Sequence, residues 1–542
     1  MTDRRRSSVP ARPALEALPL YRPGRSPAQA LADYGVSGAV KLASNELAFG
    51  LLPSVEKALA DDLGRANRYP DHGAVALRER LADRFGVPVA CIGVGAGAVG
   101  LLGQLALAYV GPGDAVVFGD PSFEAYPIFT KLAGGAPRPV PLTRQTIDAD
   151  RFLAASSEAT RLVLLAQPNN PTSTAMAGDD LRRLADELPP TCLLVVDEAY
   201  HEFARGRHLV AGTALLDTHP NVVVLRTFSK AYGLAALRVG FAVANPDVVE
   251  AMDKCLLPFS VNSLAQAAAI AALDESAEVE RRVDFVLAER ERARAELSHL
   301  GFGVPASEAN FLWLPAGGTA SELAVALERR GVVTRPFLGA GVRVTIGAPS
   351  EVDRFLGAFG EVAASELGGR LEVAWALPAG PGQKVVETWL ERLHTVEDQL
   401  VALEQGGSRA GLTEPDPGGD ERWEDTQVWA HLSEFPDYWV NQLQIVLNRA
   451  GSGPVPFGRT KADRARRGAI AGAGREDVGS YVHRMLVACD RLRAVLCGMD
   501  GTDWAARGTH PTLGAMDVPT ILDEFLVGHL EEHTAQLEAL HA

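Results

Sequence analysis

The sequence predicts a large α/β unit built on a mostly parallel sheet with helices on both faces, followed by an all-α unit of four helices. Three observations predict it. Short apolar runs recur through the front two-thirds, among them Ala115-Val116-Val117-Phe118, Leu162-Val163-Leu164-Leu165, Cys192 to Val196 and Val222-Val223-Val224-Leu225, and polar or turn residues follow each. Behind a Gly- and Pro-rich stretch around Leu377-Pro378-Ala379-Gly380-Pro381-Gly382, apolar residues recur at three-to-four spacing instead. A chain of 542 residues is also too long for one core.

From the front, Arg4-Arg5-Arg6 form a short basic tip, and residues 1–12 are expected to be disordered. Gly95, Gly97 and Gly100 satisfy G-x-G-x-x-G, with Asp120 about twenty residues on, a local dinucleotide-binding pattern. The same backbone equally cradles a single phosphate at a helix N-terminus, and the residues downstream favour that reading. Leu162–Leu165 runs into Gln167-Pro168-Asn169-Asn170-Pro171-Thr172, where Asn170 precedes a proline in an extended turn. Cys192 to Val196 leads to Asp197-Glu198-Ala199-Tyr200, and Val222–Leu225 leads to Thr227-Phe228-Ser229-Lys230 with Arg238 eight residues beyond the lysine. Each alone has a bland explanation: a capping Asp, a turn Asn, a core Tyr, a solvated Lys. Together, at successive strand ends where ligands of open α/β sheets gather, they suit pyridoxal phosphate. The lysine amine forms the imine, a carboxylate on the pyridine nitrogen keeps the ring protonated and so a better electron sink, and hydroxyl and guanidinium hold the phosphate.

With these residues in place, the chain resembles fold-type I aminotransferases, and most closely the histidinol-phosphate and aromatic amino-acid group, over roughly residues 14–365. The resemblance rests on Tyr21-Arg22-Pro23-Gly24, Lys41 to Glu46, Asn67-Arg68-Tyr69-Pro70-Asp71, Ser122 to Pro127, Asp197 to Tyr200, Thr227 to Arg238, Ala309-Asn310-Phe311 and Val342 to Gly347. It implies an α/β PLP-transferase domain over 13–367, a mostly parallel sheet with a small additional α/β domain. Lys230 would be the Schiff base and proton shuttle, and Asp197 would pair with the pyridinium nitrogen. Asn170 and Tyr200 would contact O3′, while Ser229, Arg238 and the amides of Ala96 and Gly97 would hold the phosphate. Phe123 would stack on the ring, with Tyr126 the second candidate. Tyr69 would reach the phosphate of the other subunit of a homodimer. Arg343, assisted by Arg335, would bind a substrate carboxylate or phosphate, and Tyr21 would line the substrate pocket. The chain departs from the family pattern at Gln167, Ser173, Gly97-Ala98, Ala236 and Leu47-Ala48, none of which removes a group at the bond-breaking step.

Residues 368–382 read as a linker, and 383–542 as the helical unit. Helices are expected over Val385 to Leu403, Trp423 to Asn448, Val478 to Leu496 and Val518 to His541, a four-helix bundle. His529 and His533 lie four apart on the last of these, hence on one face, and His431 lies on the second. Three nitrogens with open coordination positions describe a catalytic rather than a structural divalent site. This segment resembles the DinB-like superfamily of four-helix bundles, which implies Zn²⁺ or Ni²⁺ on His431, His529 and His533 and a low-molecular-weight thiol as partner.

The net charge of −16 argues against nonspecific nucleic-acid binding. No apolar run approaches a membrane span or signal peptide. Five scattered cysteines without C-x-x-C fit reduced thiols in a cytoplasm. The expected function is an aminotransferase moving an amino group from an amino donor to a keto or aldehyde acceptor. Two alternatives stay open: a pyridoxal-phosphate C–S lyase acting on thiol conjugates, and a helical unit that is a non-catalytic binding or dimerisation module.

Overall fold

The computed structural model describes residues 25–143, 145–300, 302–365, 383–404, 409–414, 422–449, 453–460, 463–474, 476–499 and 501–541, with isolated positions beside them. The basic tip at 1–12, the linker at 368–382 and Tyr21 lie outside the described residues. Two compact units emerge. One holds residues 25–205, 209–300 and 307–365, and the other is built from 383–541 with two short stretches, 206–208 and 302–306.

In the first unit, seven strands make one sheet: β1 (Ile92–Gly95), β2 (Ala115–Asp120), β3 (Ala136–Pro141), β4 (Thr160–Ala166), β5 (Leu193–Asp197), β6 (Val222–Thr227) and β7 (Gly240–Ala244). Their order is β1-β7-β6-β5-β4-β2-β3, and only β7 runs antiparallel to its neighbours. Side chains alternate between two separate apolar cores. Leu162, Leu164, Val195 and Val223 join one with Leu101 and Leu105 of helix α1 (Gly97–Tyr109), while Val163, Leu165, Val196 and Val224 join the other with Leu181 and Leu184. Burial on both faces is why these strands read as unbroken apolar runs rather than as alternating ones.

A smaller antiparallel sheet follows, β8 (Phe311–Pro315), β9 (Arg335–Phe337) and β10 (Gly341–Thr345), in the order β9-β10-β8. Its register sets Arg335 directly opposite Arg343.

The second unit contains α2 (Gln383–Glu404), α3 (Asp425–Asn448), α4 (Val478–Gly498) and α5 (Val527–His541). Both α2 and α3 pack on α4 and α5, and Leu393, Leu400, Trp429, Leu443, Met485, Leu492, Leu530 and Leu537 share one core. The single helix expected over Val518 to His541 is instead two, Val518–Phe525 and α5, separated at Leu526 (φ −127°, ψ −94°). The break brings Gly528 against the preceding turn, where an added Cβ would lie 2.2 Å from the carbonyl oxygen of Asp523, so a glycine is required there. The expectation of four helices also omitted a helix at Arg464–Ala471 and a small sheet of Val455–Pro456, Arg507–His510 and Gly514–Asp517.

Candidate functional site

Asp197 is the last residue of β5, and Thr227 and Ala166 end the flanking strands. The chain leaving these strands carries Asn170, Tyr200 and Lys230, which line one cavity of about 240 Å³ together with Asp197. Lys230 Nζ donates to the carbonyl oxygens of Ser44 (3.1 Å) and Asn45 (3.2 Å). Burial, reinforced by the nearby Arg343 guanidinium, lowers its pKa to about 7. A large share of these amines is therefore unprotonated and nucleophilic at neutral pH.

Burial pushes the Asp197 carboxyl up to about 6. Its Oδ2 accepts from the Tyr126 hydroxyl (2.9 Å), while Oδ1 is buried without a hydrogen-bond partner. A buried carboxylate oxygen with no donor is costly unless a ligand brings one. Tyr126, the second candidate for ring stacking, lies fully buried beside Asp197 as its donor, and burial raises the phenol well above its usual pKa. Phe123 does line the cavity, edge-on to Tyr126 at 5.5 Å and 88°.

At the other end of the cavity, Gly97 (φ +75°) opens α1. The first N–H groups of a helix have no acceptor within it, and Ala98 and Val99 form the cavity wall there. Ala96 and Gly97 are not among the lining residues, whereas the two residues that follow them are. Arg238 Nη1 donates to Ser229 Oγ (3.0 Å) and Ala235 O (2.8 Å). A Cβ on residue 97 would sit 2.6 Å from Arg238 Nη2, so glycine is what lets the guanidinium approach the helix start. Amides, hydroxyl and guanidinium together make an anion cradle.

Arg343, buried on β10, donates to Asn170 Oδ1 (2.5 Å) and Ala43 O (2.7 Å). Arg335 lines the same cavity and pairs with Glu124 (2.6 Å). Asn45 is a residue that sequence reasoning quoted only within a motif. It is buried at φ +54°, donates from Nδ2 to the Tyr200 hydroxyl (2.9 Å), and accepts from Thr345 Oγ1 on Oδ1 (3.0 Å). Its non-glycine left-handed backbone was the available signal, but only a structure displays it. Tyr69 is not part of this cavity; it is exposed and stacked on Phe259 at 4.5 Å.

In the second unit, α3 contributes His431 and α5 contributes His529 and His533, one ligating nitrogen from each lying within 4.8 Å of the others. His529 Nε2 is 3.4 Å from His431 Nε2 and 3.2 Å from His533 Nε2. His533 Nδ1 faces Gln536 Oε1 (2.8 Å), which fixes the proton on Nδ1 and leaves the Nε2 lone pair toward the cluster. Burial lowers His533 to about 3 and His431 well below its ordinary value, each helped by its neighbouring imidazoles. Trp423 stacks on the His533 ring, 13° from parallel. Three convergent imidazoles have the donor chemistry to hold a divalent ion.

The sequence model of the family described as "Aminotransferase class I and II" matches residues 37–359. An aromatic amino acid aminotransferase from Thermobifida fusca is 49% identical over 346 residues, covering 64% of this chain and 95% of that protein. Another from Mycolicibacterium vanbaalenii is 47% identical, covering 65% and 97%. Among solved structures, the histidinol-phosphate aminotransferase from Sinorhizobium meliloti in complex with pyridoxal-5′-phosphate aligns with a TM-score of 0.61 at 31% identity. That alignment spans 66% of this chain and 99% of the other.

Proposed function

Because the chain belongs to the class I and II aminotransferases, and so is a pyridoxal-phosphate-dependent transaminase, we propose that it is one of the aromatic amino-acid and histidinol-phosphate type. The observation that carries this reading is the cavity itself. It sets a near-neutral lysine between an anion cradle at one end and the orphaned Asp197 Oδ1 at the other, which fits pyridoxal phosphate. The identities of 47–49% to aromatic amino acid aminotransferases support the substrate class.

Arg238, Ser229 and the first-turn amides of α1, around Ala96, Gly97 and the two residues after them, would hold the phosphate. Asp197 would keep the pyridine nitrogen protonated, with Tyr126 orienting it. Asn170 and Tyr200 would face O3′, and Phe123 would cover the ring. When bound, the cofactor supplies an electron sink for the carbanion at the substrate Cα. Lys230 would move the proton between the substrate Cα and the cofactor's C4′, its lowered pKa leaving the free amine able to accept one near neutrality. Arg343 would clamp the carboxylate shared by amino donor and oxo acceptor. Arg335 and Tyr21 would meet the substrate side chain, and Tyr69 would complete the partner copy's site in a homodimer.

For residues 383–542 the reading is a DinB-like metal-binding bundle with Zn²⁺ or Ni²⁺ on His431, His529 and His533 and a low-molecular-weight thiol as co-substrate. The convergent imidazoles support the metal, and the resemblance alone supports the thiol.

A donor panel tests the reading. The holoprotein is mixed with phenylalanine, tyrosine, histidinol phosphate or an S-conjugate of cysteine, and conversion of the bound cofactor is followed by absorbance. Conversion by the aromatic donors or histidinol phosphate is expected. Release of pyruvate from the conjugate without a keto acceptor would contradict it.

A further inference from the structure

Asn45 has no part in the proposed function, yet its hydrogen bonds reach Lys230, Tyr200 and β10. It is fully buried at φ +54°, a left-handed conformation that asparagine accepts more readily than most residues. Its backbone N–H donates to Thr345 Oγ1 (2.9 Å) at the end of β10. Its carbonyl oxygen accepts from Lys230 Nζ (3.2 Å) and from Asn310 Nδ2 (3.2 Å). The side chain accepts from Thr345 Oγ1 on Oδ1 (3.0 Å) and donates from Nδ2 to the Tyr200 hydroxyl (2.9 Å).

These bonds fix the direction of a proton. The Thr345 hydroxyl is buried, and among the described residues its proton has one acceptor, Asn45 Oδ1. Reversing the amide would leave that buried proton unmatched, which is costly. Oδ1 therefore faces Thr345, and Nδ2 faces Tyr200. Because the Tyr200 hydroxyl accepts from Nδ2, it sends its own proton away from Asn45. The Tyr200 ring is buried, held edge-on against Phe311 (5.1 Å, 80°), and lines the cavity.

We infer that Asn45 is a positioning residue, which sets the Tyr200 hydroxyl as a hydrogen-bond donor toward the cofactor's O3′. The inference rests on the proposed function, in which Tyr200 faces O3′. A donor there stabilises negative charge on O3′ and so favours the unprotonated form of the lysine-bound cofactor. Asn45 also keeps its place once the lysine nitrogen is engaged by the cofactor, since Asn310 still donates to its carbonyl.

The test is a pH titration of the holoprotein's visible absorption, which reads the balance of protonated and unprotonated lysine-bound cofactor without turnover. Tyr200→Phe removes the donor, and the midpoint is expected to rise by about one pH unit. Asn45→Gly keeps the backbone conformation and removes only the side chain, and its midpoint is expected to rise by about half a unit. The double variant matches Tyr200→Phe alone, because Asn45 acts through Tyr200. Thr345→Val, which unpins the amide, raises the midpoint as well, whereas Thr345→Ser, which keeps the hydroxyl, holds it at the wild-type value. An unchanged midpoint in Asn45→Gly overturns the inference. So does a lowered one, which would mean that Tyr200 donates to Asn45. A double variant whose shift is the sum of the two single shifts overturns it too. If Asn45→Gly does not fold, equal midpoints in Thr345→Val and Thr345→Ser overturn it. A midpoint unmoved in Tyr200→Phe removes the O3′ contact and the inference with it. All of these leave the transaminase reading intact, whereas a wild type with no lysine-bound band overturns that reading itself.

Discussion

Lys230 is held by two backbone carbonyls that lie 186 and 185 residues away in the chain, whereas His529 and His533 are one helical turn apart and meet His431 on a neighbouring helix. The first cluster is assembled by a sheet: each strand ends at the same edge, so residues far apart in sequence converge there. The second is assembled by helix periodicity. The charge logic differs as well. Around Lys230, opposite signs alternate, with Asp197 and Glu124 among Arg238, Arg335 and Arg343. Around His431 like groups cluster instead, and burial together with the neighbouring imidazoles lowers the pKa of His431 and of His533. A sheet edge can therefore hold an organic anion and a protonated ring together, while the histidine cluster suits a compact cation.

Four changes break or sharpen this contrast. Asp197→Asn keeps the Tyr126 contact but removes the charge that the ring nitrogen needs. Transamination is expected to fall by about 10²–10³-fold, read as kcat/KM with phenylalanine, with metal content of the second unit unchanged. His533→Ala is the reciprocal test: zinc affinity, read by calorimetric titration, is expected to weaken by at least about 100-fold, with transamination retained. Changes that crossed between the two clusters would abolish the contrast.

Protonation sharpens it next. Lys230 is depressed to about 7, so raising the pH through 7 deprotonates it. Capture of pyridoxal phosphate by the apoprotein should rise about tenfold between pH 6 and 8 and then level off, as an amine of unperturbed pKa near ~10.4 would not. Stopped-flow absorbance reads this. His533, depressed to about 3, acts in the same direction on stability: what it contributes is complete above the ordinary histidine range and is lost as the pH falls toward 3.

The smallest effect concerns backbone rather than charge. Ser173 is buried at φ +62°, a left-handed conformation that favours glycine. Ser173→Gly relieves that conformation and also loosens the unfolded chain, so unfolding free energy should change by no more than about 1 kcal/mol. Denaturant titration of the holoprotein checks it.

Much of the first unit was legible because its chemistry sits where its secondary structure ends. Val222–Leu225 and Cys192–Val196 are apolar enough to read as strands, and the first polar residues after them are the ones that matter. Asn45 and Tyr126 were not legible in their roles, since each acts through a contact 155 or 71 residues away that no local pattern encodes. In the second unit the three-to-four spacing revealed the long helices and the His529/His533 pair. It missed the interruption at Leu526, whose one local signal is Gly528 inside an otherwise helical pattern, and it missed the small sheet around Arg507–Asp517, whose strands are only four residues long.

The most direct test is the visible absorption spectrum of the purified holoprotein, recorded before and after phenylalanine, beside the Lys230→Ala variant. The account predicts a visible band from lysine-bound cofactor in the wild type, its loss on adding phenylalanine, its recovery on adding a 2-oxo acid, and no such band in the variant. A wild type that shows no band after incubation with pyridoxal phosphate, or a variant that keeps it, would contradict the account.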